Sequence, residues 1–169
     1  MGERKDSDLT AMNVRTAVNR KSDRELIVTR TFNAPPRIVF QAWSRADLFK
    51  RWWIPKSMGM TVHSCEMDVR TGGGYRLEIS HPASDQPMPF FGKYLEVIPN
   101  ALIVWTNEEG GDGGAVTTVT FEEKDGKTLL TLIERYPTSQ ALDEALEGSA
   151  AALPEQFAEL DELLGTLAP

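Results

Sequence analysis

Between residues 60 and 135 the sequence runs as six extended segments with no stretch between them long enough for a crossover helix. The segments are 60–69, 74–81, 90–98, 101–108, 115–123 and 128–135, each rich in β-branched or aromatic residues. Their separators are turn formers: Gly72-Gly73-Gly74, the loop 82–89, Pro99-Asn100, the glycine-rich loop 110–114 and Asp125-Gly126. Parallel neighbours need a connection of about a dozen residues or more, so these strands form an antiparallel meander.

Residues 25–33 add a strand before the meander, with Leu26, Val28 and Phe32 on one parity. Ala34-Pro35-Pro36 ends it. Ile38, Val39, Ala42 and Trp43 then recur at helical spacing, and a second short helix through Asp47, Leu48 and Trp52 stops at Pro55. Beyond Pro137, Leu142, Leu146, Ser149, Leu153, Phe157, Leu160, Leu164 and Leu167 fall at alternating steps of three and four, one face of a long helix. Pro154 removes a helix hydrogen bond and should bend or split that helix. The expected fold class is α+β: a seven-stranded antiparallel sheet, two short helices between its first and second strands, and a C-terminal helix. A twisted sheet of that width curls, so it wraps the helix and leaves space between them.

Charge and composition narrow the function classes. Eighteen Lys and Arg against 25 Asp and Glu give a net charge of −7, which argues against a nucleic-acid partner. No apolar run approaches the ~20 residues that span a bilayer, and the first 24 residues lack a secretory apolar core, so membrane insertion and export are not expected. Those 24 residues read as a flexible arm, with one folded domain over 25–169. Cys65 is the single cysteine, which excludes an intrachain disulfide and fits a cytoplasmic protein. Only His63 and His81 add imidazole, and neither a metal site nor a cofactor is expected.

Strand alternation places Thr61, His63, Cys65, Met67 and Val69 on one face, read as the inner one. Residues two apart on a strand point side by side, so His63 and Cys65 do not make a nucleophilic pair. Tyr75, Leu77 and Ile79 line the next strand's inner face. Lys93, Glu96, Glu134 and Arg135 read as solvated sheet residues. The triple glycine lacks the helix and Lys-Ser/Thr pair of a phosphate loop, and the loop around Asp112 lacks calcium-ligand spacing. The small side chains of Gly148-Ser149-Ala150-Ala151-Ala152 leave room beside the curved sheet, inside an aromatic and methionine set. The expected ligand-binding residues are Trp43, Trp53, Met58, His63, Cys65, Tyr75, Leu77, Phe91, Trp105, Phe121, Ser149, Leu153 and Phe157, with no catalytic residue among them.

An ordered series of motifs carries a family resemblance: Arg30-Thr31-Phe32-Asn33-Ala34-Pro35, Ala42-Trp43, Trp52-Trp53-Ile54-Pro55, and Glu66-Met67-Asp68-Val69-Arg70-Thr71-Gly72-Gly73. It continues with Gly92-Lys93-Tyr94-Leu95-Glu96-Val97-Ile98-Pro99 and Leu102-Ile103-Val104-Trp105-Thr106. Over residues 25–167 the chain resembles the activator-of-heat-shock-protein-90 ATPase homologue (AHSA-like) family of the START-like (SRPBCC) superfamily. The resemblance implies a helix-grip fold around an apolar cavity, with Trp53, Tyr75 and Trp105 as cavity positions. It does not select an activity, because members of the superfamily bind lipids, sterols, plant hormones or polyketides, act as cyclases or hydrolases, or contact the chaperone.

The leading expectation is a cytoplasmic, non-catalytic protein that binds a small apolar or aromatic molecule. His63, Tyr75 or Ser149 would orient it, and the short helices with the loop 82–89 would guard the entrance. The alternatives are a chaperone-associated interaction module and a polyketide-cyclase-like or hydrolase-like enzyme. A monomer or a homodimer is expected, since an exposed sheet edge can pair.

Overall fold

The computed structural model describes residues 16–84, 86–108 and 114–167, with the side chain of Ser149 outside that set. The loop around Asp112 and residues 1–15 of the expected arm also lie outside the described residues. The strands are β1 (Ala17–Arg20), β2 (Glu25–Phe32), β3 (Thr61–Met67), β4 (Gly74–Ser80), β5 (Met88–Ile98), β6 (Leu102–Thr106), β7 (Val116–Lys124) and β8 (Lys127–Arg135). They form one antiparallel sheet in the order β1-β2-β8-β7-β6-β5-β4-β3. The six meander strands are neighbours in chain order, as their short turns require. Asp125 and Gly126 take positive φ angles of 54° and 78°, the two-residue hairpin turn that an Asp-Gly pair favours.

Strand β1 is an eighth strand where seven were expected. It lies within the segment read as an arm and pairs Val18 with Val28 and Arg20 with Leu26. Four residues in a charge-rich stretch are too few to show a period. Strand β2 pairs with β8 rather than β3, so the N-terminal and C-terminal parts of the sheet are neighbours.

Helices α1 (Pro36–Ser44) and α2 (Ala46–Phe49) and a 3-10 turn (Lys56–Met58) separate β2 from β3. Pro36 sits in the first turn of α1, where its missing N–H has no partner to lose. The helix buries Ile38, Val39, Phe40, Ala42 and Trp43. The C-terminal helical region is split into α3 (Ser139–Glu147), a 3-10 joint (Ser149–Ala152) and α4 (Leu153–Leu167). The Thr138 hydroxyl accepts the Ala141 N–H at 3.0 Å and caps α3. Pro154 opens α4 instead of interrupting a continuous helix, so the break precedes it.

Much of the core lies where α1 and α4 cover β2, β7 and β8. Leu26, Val28, Phe32, Leu130, Leu132, Phe157 and Leu160 are shut off from solvent there. Arg30 projects from the same face of β2, donating to the Thr16 hydroxyl at 2.8 Å and to Asp161 of α4 at 3.2 Å. No described helix is long and apolar enough to cross a membrane.

Candidate functional site

Away from that packed end, a cavity of about 1040 Å³ lies among the inner faces of β3 to β6 and β8, helices α1 and α2, and the α3–α4 joint. Its wall is largely aromatic: Trp43, Phe49, Trp53, Tyr75, Phe90, Tyr94 and Trp105. Met58, Pro137 and Glu144 are the well-exposed lining residues and mark its rim. The Trp43 ring, at the centre of the wall, makes edge contacts with Trp52, Trp53, Phe121 and Phe157 and a tilted one with Trp105. Trp52 is fixed in turn by its indole N–H, which donates to Ala42 O at 2.9 Å. The aromatic wall is therefore braced by a second aromatic layer.

Tyr75 reaches its place because Gly92 has no side chain. The two residues are paired across β4 and β5, and the Tyr75 ring crosses over Gly92 so that its hydroxyl donates to Thr106 O on β6 at 2.7 Å. A Cβ on Gly92 would fall 2.9 Å from the Tyr75 ring and 1.9 Å from that same carbonyl oxygen. A glycine inside a strand commonly marks such a close approach.

One side of the cavity carries a connected run of polar groups. The Tyr75 hydroxyl lies 3.4 Å from Asn107 Oδ1, and Asn107 Nδ2 donates to Ala115 O at 3.0 Å and to Thr117 Oγ1 at 3.1 Å. The Thr117 hydroxyl then donates to Glu134 Oε2 at 2.9 Å, and the Tyr136 hydroxyl donates to Glu134 Oε1 at 3.1 Å. Both carboxyl oxygens are thus acceptors. Burial pushes the Glu134 pKa up from its ordinary 4.5, and the two hydroxyl donors only partly oppose this. Burial and the neighbouring Glu134 charge also push the Tyr136 phenol up. No Lys, Arg or His is among the described lining residues.

Of the residues expected to bind a ligand, Trp43, Trp53, Met58, Tyr75, Leu77, Trp105 and Leu153 line this cavity. His63, Cys65, Phe91, Phe121 and Phe157 do not, and the side chain of Ser149 lies outside the described residues. His63 is the extra residue of a bulge between Val62 and Ser64. The bulge reverses the alternation, so His63 faces outward and its Nε2 lies 2.7 Å from Ser80 Oγ. Cys65 pairs with Leu77 on the inner face and packs against the core outside the cavity lining. Burial raises its thiol pKa despite the opposing charge of Lys50, which suits a structural thiol better than a nucleophile. Phe91 pairs with Arg76 and lies on the outer face under its guanidinium, 5.6 Å away. Phe121 and Phe157 are the second layer behind Trp43, turned toward Phe40 and Phe32 respectively. No described residue of the loop 82–89 lines the cavity, whereas Met58 of the 3-10 turn does.

Glu134 lines the cavity instead of facing solvent, the principal departure from the sequence expectation. It shares the inward parity of Thr128, Leu130 and Leu132 along β8, so alternation alone placed it inside. Asn107 and Gln156 carry no comparable signal. Gln156, on α4, lines the cavity and donates to the Trp53 carbonyl, fixing the loop that carries that tryptophan.

The model for a family described as Activator of Hsp90 ATPase homolog 1-like protein matches residues 33–165. Among solved structures, the fold is similar to that of a protein from Rhodobacter sphaeroides, with TM-score 0.81 and 20% identity over 90% of this chain and 99% of that one. A Chromobacterium violaceum protein is 27% identical, with TM-score 0.70 over 82% of this chain and 96% of the other. The AHSA1-like protein from Aeromonas hydrophila is 18% identical, with TM-score 0.61 over 81% and 94%. No curated protein matches.

Proposed function

Because the chain belongs to the Activator of Hsp90 ATPase homolog 1-like family, we propose that it is a cytoplasmic, non-catalytic binding protein for a small apolar or aromatic molecule. The observation that carries this reading is the cavity of about 1040 Å³ that the side chains leave unfilled behind a braced aromatic wall. Small-molecule sites span roughly 300–1,000 Å³, and this one stands at the upper end of that range. Affinity comes from apolar burial against Trp43, Trp53 and Trp105, at roughly 25 cal/mol per Å². A binding role rather than catalysis is supported by the outward-facing His63 and by a Cys65 thiol whose pKa is raised away from the cavity.

The test is titration with the neutral fluorophore N-phenylnaphthylamine. Trp53→Ala removes a half-buried wall residue and is expected to weaken binding by roughly tenfold or more, with a smaller effect on stability. Lys93→Ala, on the outer face, serves as the control. Equal loss of affinity in both variants would refute the assignment.

The family description favours one second reading, a module that contacts a chaperone of the heat-shock-protein-90 class. Capture of purified chaperone by the full chain, lost when residues 1–15 are removed, would support it.

A further inference from the structure

We propose that the cavity selects ligands in which an aromatic or alkyl body carries a basic amine, with the ammonium held by Glu134. This rests on the small-molecule reading above and adds the chemistry of the ligand's polar end. Three observations carry it. First, the hydrogen-bond run from Asn107 through Thr117 terminates on one Glu134 oxygen as acceptor, and Tyr136 donates to the other. A carboxylate has about four lone-pair sites, so two remain, and what they call for is a donor.

Second, the described lining residues include two carboxyl side chains, Glu134 and the rim residue Glu144, and no basic side chain. Of the elements packed against Glu134, β7 presents Thr117, β2 presents Leu26, and α3 presents Glu144 at the rim. Arg20, one strand beyond Leu26 on the same face, is paired with Asp143. Tyr75, Tyr94 and Tyr136 are the other titratable groups among the described lining residues, and all are neutral when protonated. Among the described residues the Glu134 carboxyl therefore has hydroxyl partners and no countercharge.

Third, the remaining wall is aromatic, and aromatic faces attract an organic cation but do nothing comparable for an anion. A neutral alcohol would leave the carboxylate uncompensated, and a carboxylate ligand would be repelled by it. An ammonium ion supplies both the donor and the charge.

The test uses matched probes, phenylbutylamine, phenylbutanol and phenylbutyrate, titrated calorimetrically into the full chain near neutral pH. The amine is expected to bind roughly tenfold or more tightly than the alcohol, with the carboxylate weakest. In Glu134→Gln the amine's advantage should shrink to about threefold or less, while the alcohol keeps its affinity. In the wild type the advantage should also decline on acidification, because a protonated Glu134 has no charge to offer; this readout stands even if the variant fails to fold. Binding of all three with no amine preference, or a preference that survives in Glu134→Gln, overturns the proposal and leaves the cavity reading intact. Binding of none overturns both.

Discussion

Gly92→Ala tests whether the wall of the cavity is built as described. A methyl group at residue 92 would fall 1.9 Å from the Thr106 oxygen, 2.8 Å from its carbonyl carbon and 2.9 Å from the Tyr75 ring. The ring can turn aside, but the β6 backbone cannot, so β5 and β6 must separate locally. Overpacking of this kind costs about 1–3 kcal/mol. Displacing Tyr75 forfeits its hydrogen bond to Thr106, another ~1 kcal/mol. The expected loss is about 2–4 kcal/mol, which lowers the melting midpoint of a chain this size by roughly 5–15 °C. Thermal and urea unfolding followed by circular dichroism measure it, with Tyr75→Phe isolating the hydroxyl at ~1 kcal/mol. Adding Tyr75→Ala to Gly92→Ala relieves the ring contact only, so most of the Gly92→Ala cost should persist in the double variant beyond that of Tyr75→Ala alone. A Gly92→Ala protein within ~0.5 kcal/mol of the parent, the range of an ordinary surface change, would refute the close approach of β5 to β6.

Glu134 makes stability depend on pH in a direction that follows from its raised pKa. The unfolded chain releases this proton near 4.5, and the folded chain holds it to higher pH. Across that window the unfolded state binds fewer protons, so the group's contribution falls as pH rises and stays lost above the raised value. Urea midpoints measured from below 4.5 upward should show this decline in the parent. Glu134→Gln should lack that component, and identical profiles would contradict the buried carboxyl. Cys65, half-buried with its pKa raised, should react slowly with a chromogenic disulfide near neutral pH and faster once urea unfolds the chain. Fast reaction in the native state would place the thiol at the surface.

The meander, the two short helices and the broken C-terminal helix were legible because turn chemistry and periodicity are local signals. Strand β1 was not, since four residues cannot establish a period and its pairing with β2 is tertiary. His63 was misplaced because strict alternation holds only without a bulge, and nothing local to Val62, His63 and Ser64 announces one. Glu134 shows the opposite failure. Its parity was available, but a charged side chain on a strand is ordinarily solvated, and only the Thr117 and Tyr136 donors make its inward position tolerable. Phe121 and Phe157 carried the correct inward signal, yet alternation and helical spacing cannot separate a cavity wall from the layer behind it.

The inner face of the sheet is divided between two tasks. The side chains of α4 that point inward, Phe157, Leu160 and Leu164, fill the end formed by β2, β7 and β8. The small Ala141, Ala145 and Ala152 of α3 and the joint leave the other end open. That end is not a closed void, because the exposed Met58, Pro137 and Glu144 open the space of about 1040 Å³ to solvent. Water can enter past that rim, and the polar run from Tyr75 to Tyr136 offers it donors and acceptors. Under the proposed function, a ligand gains by driving water off the tryptophan faces. It must also satisfy the Glu134 carboxyl, so on the proposed reading the apolar wall sets affinity and the carboxyl sets selectivity.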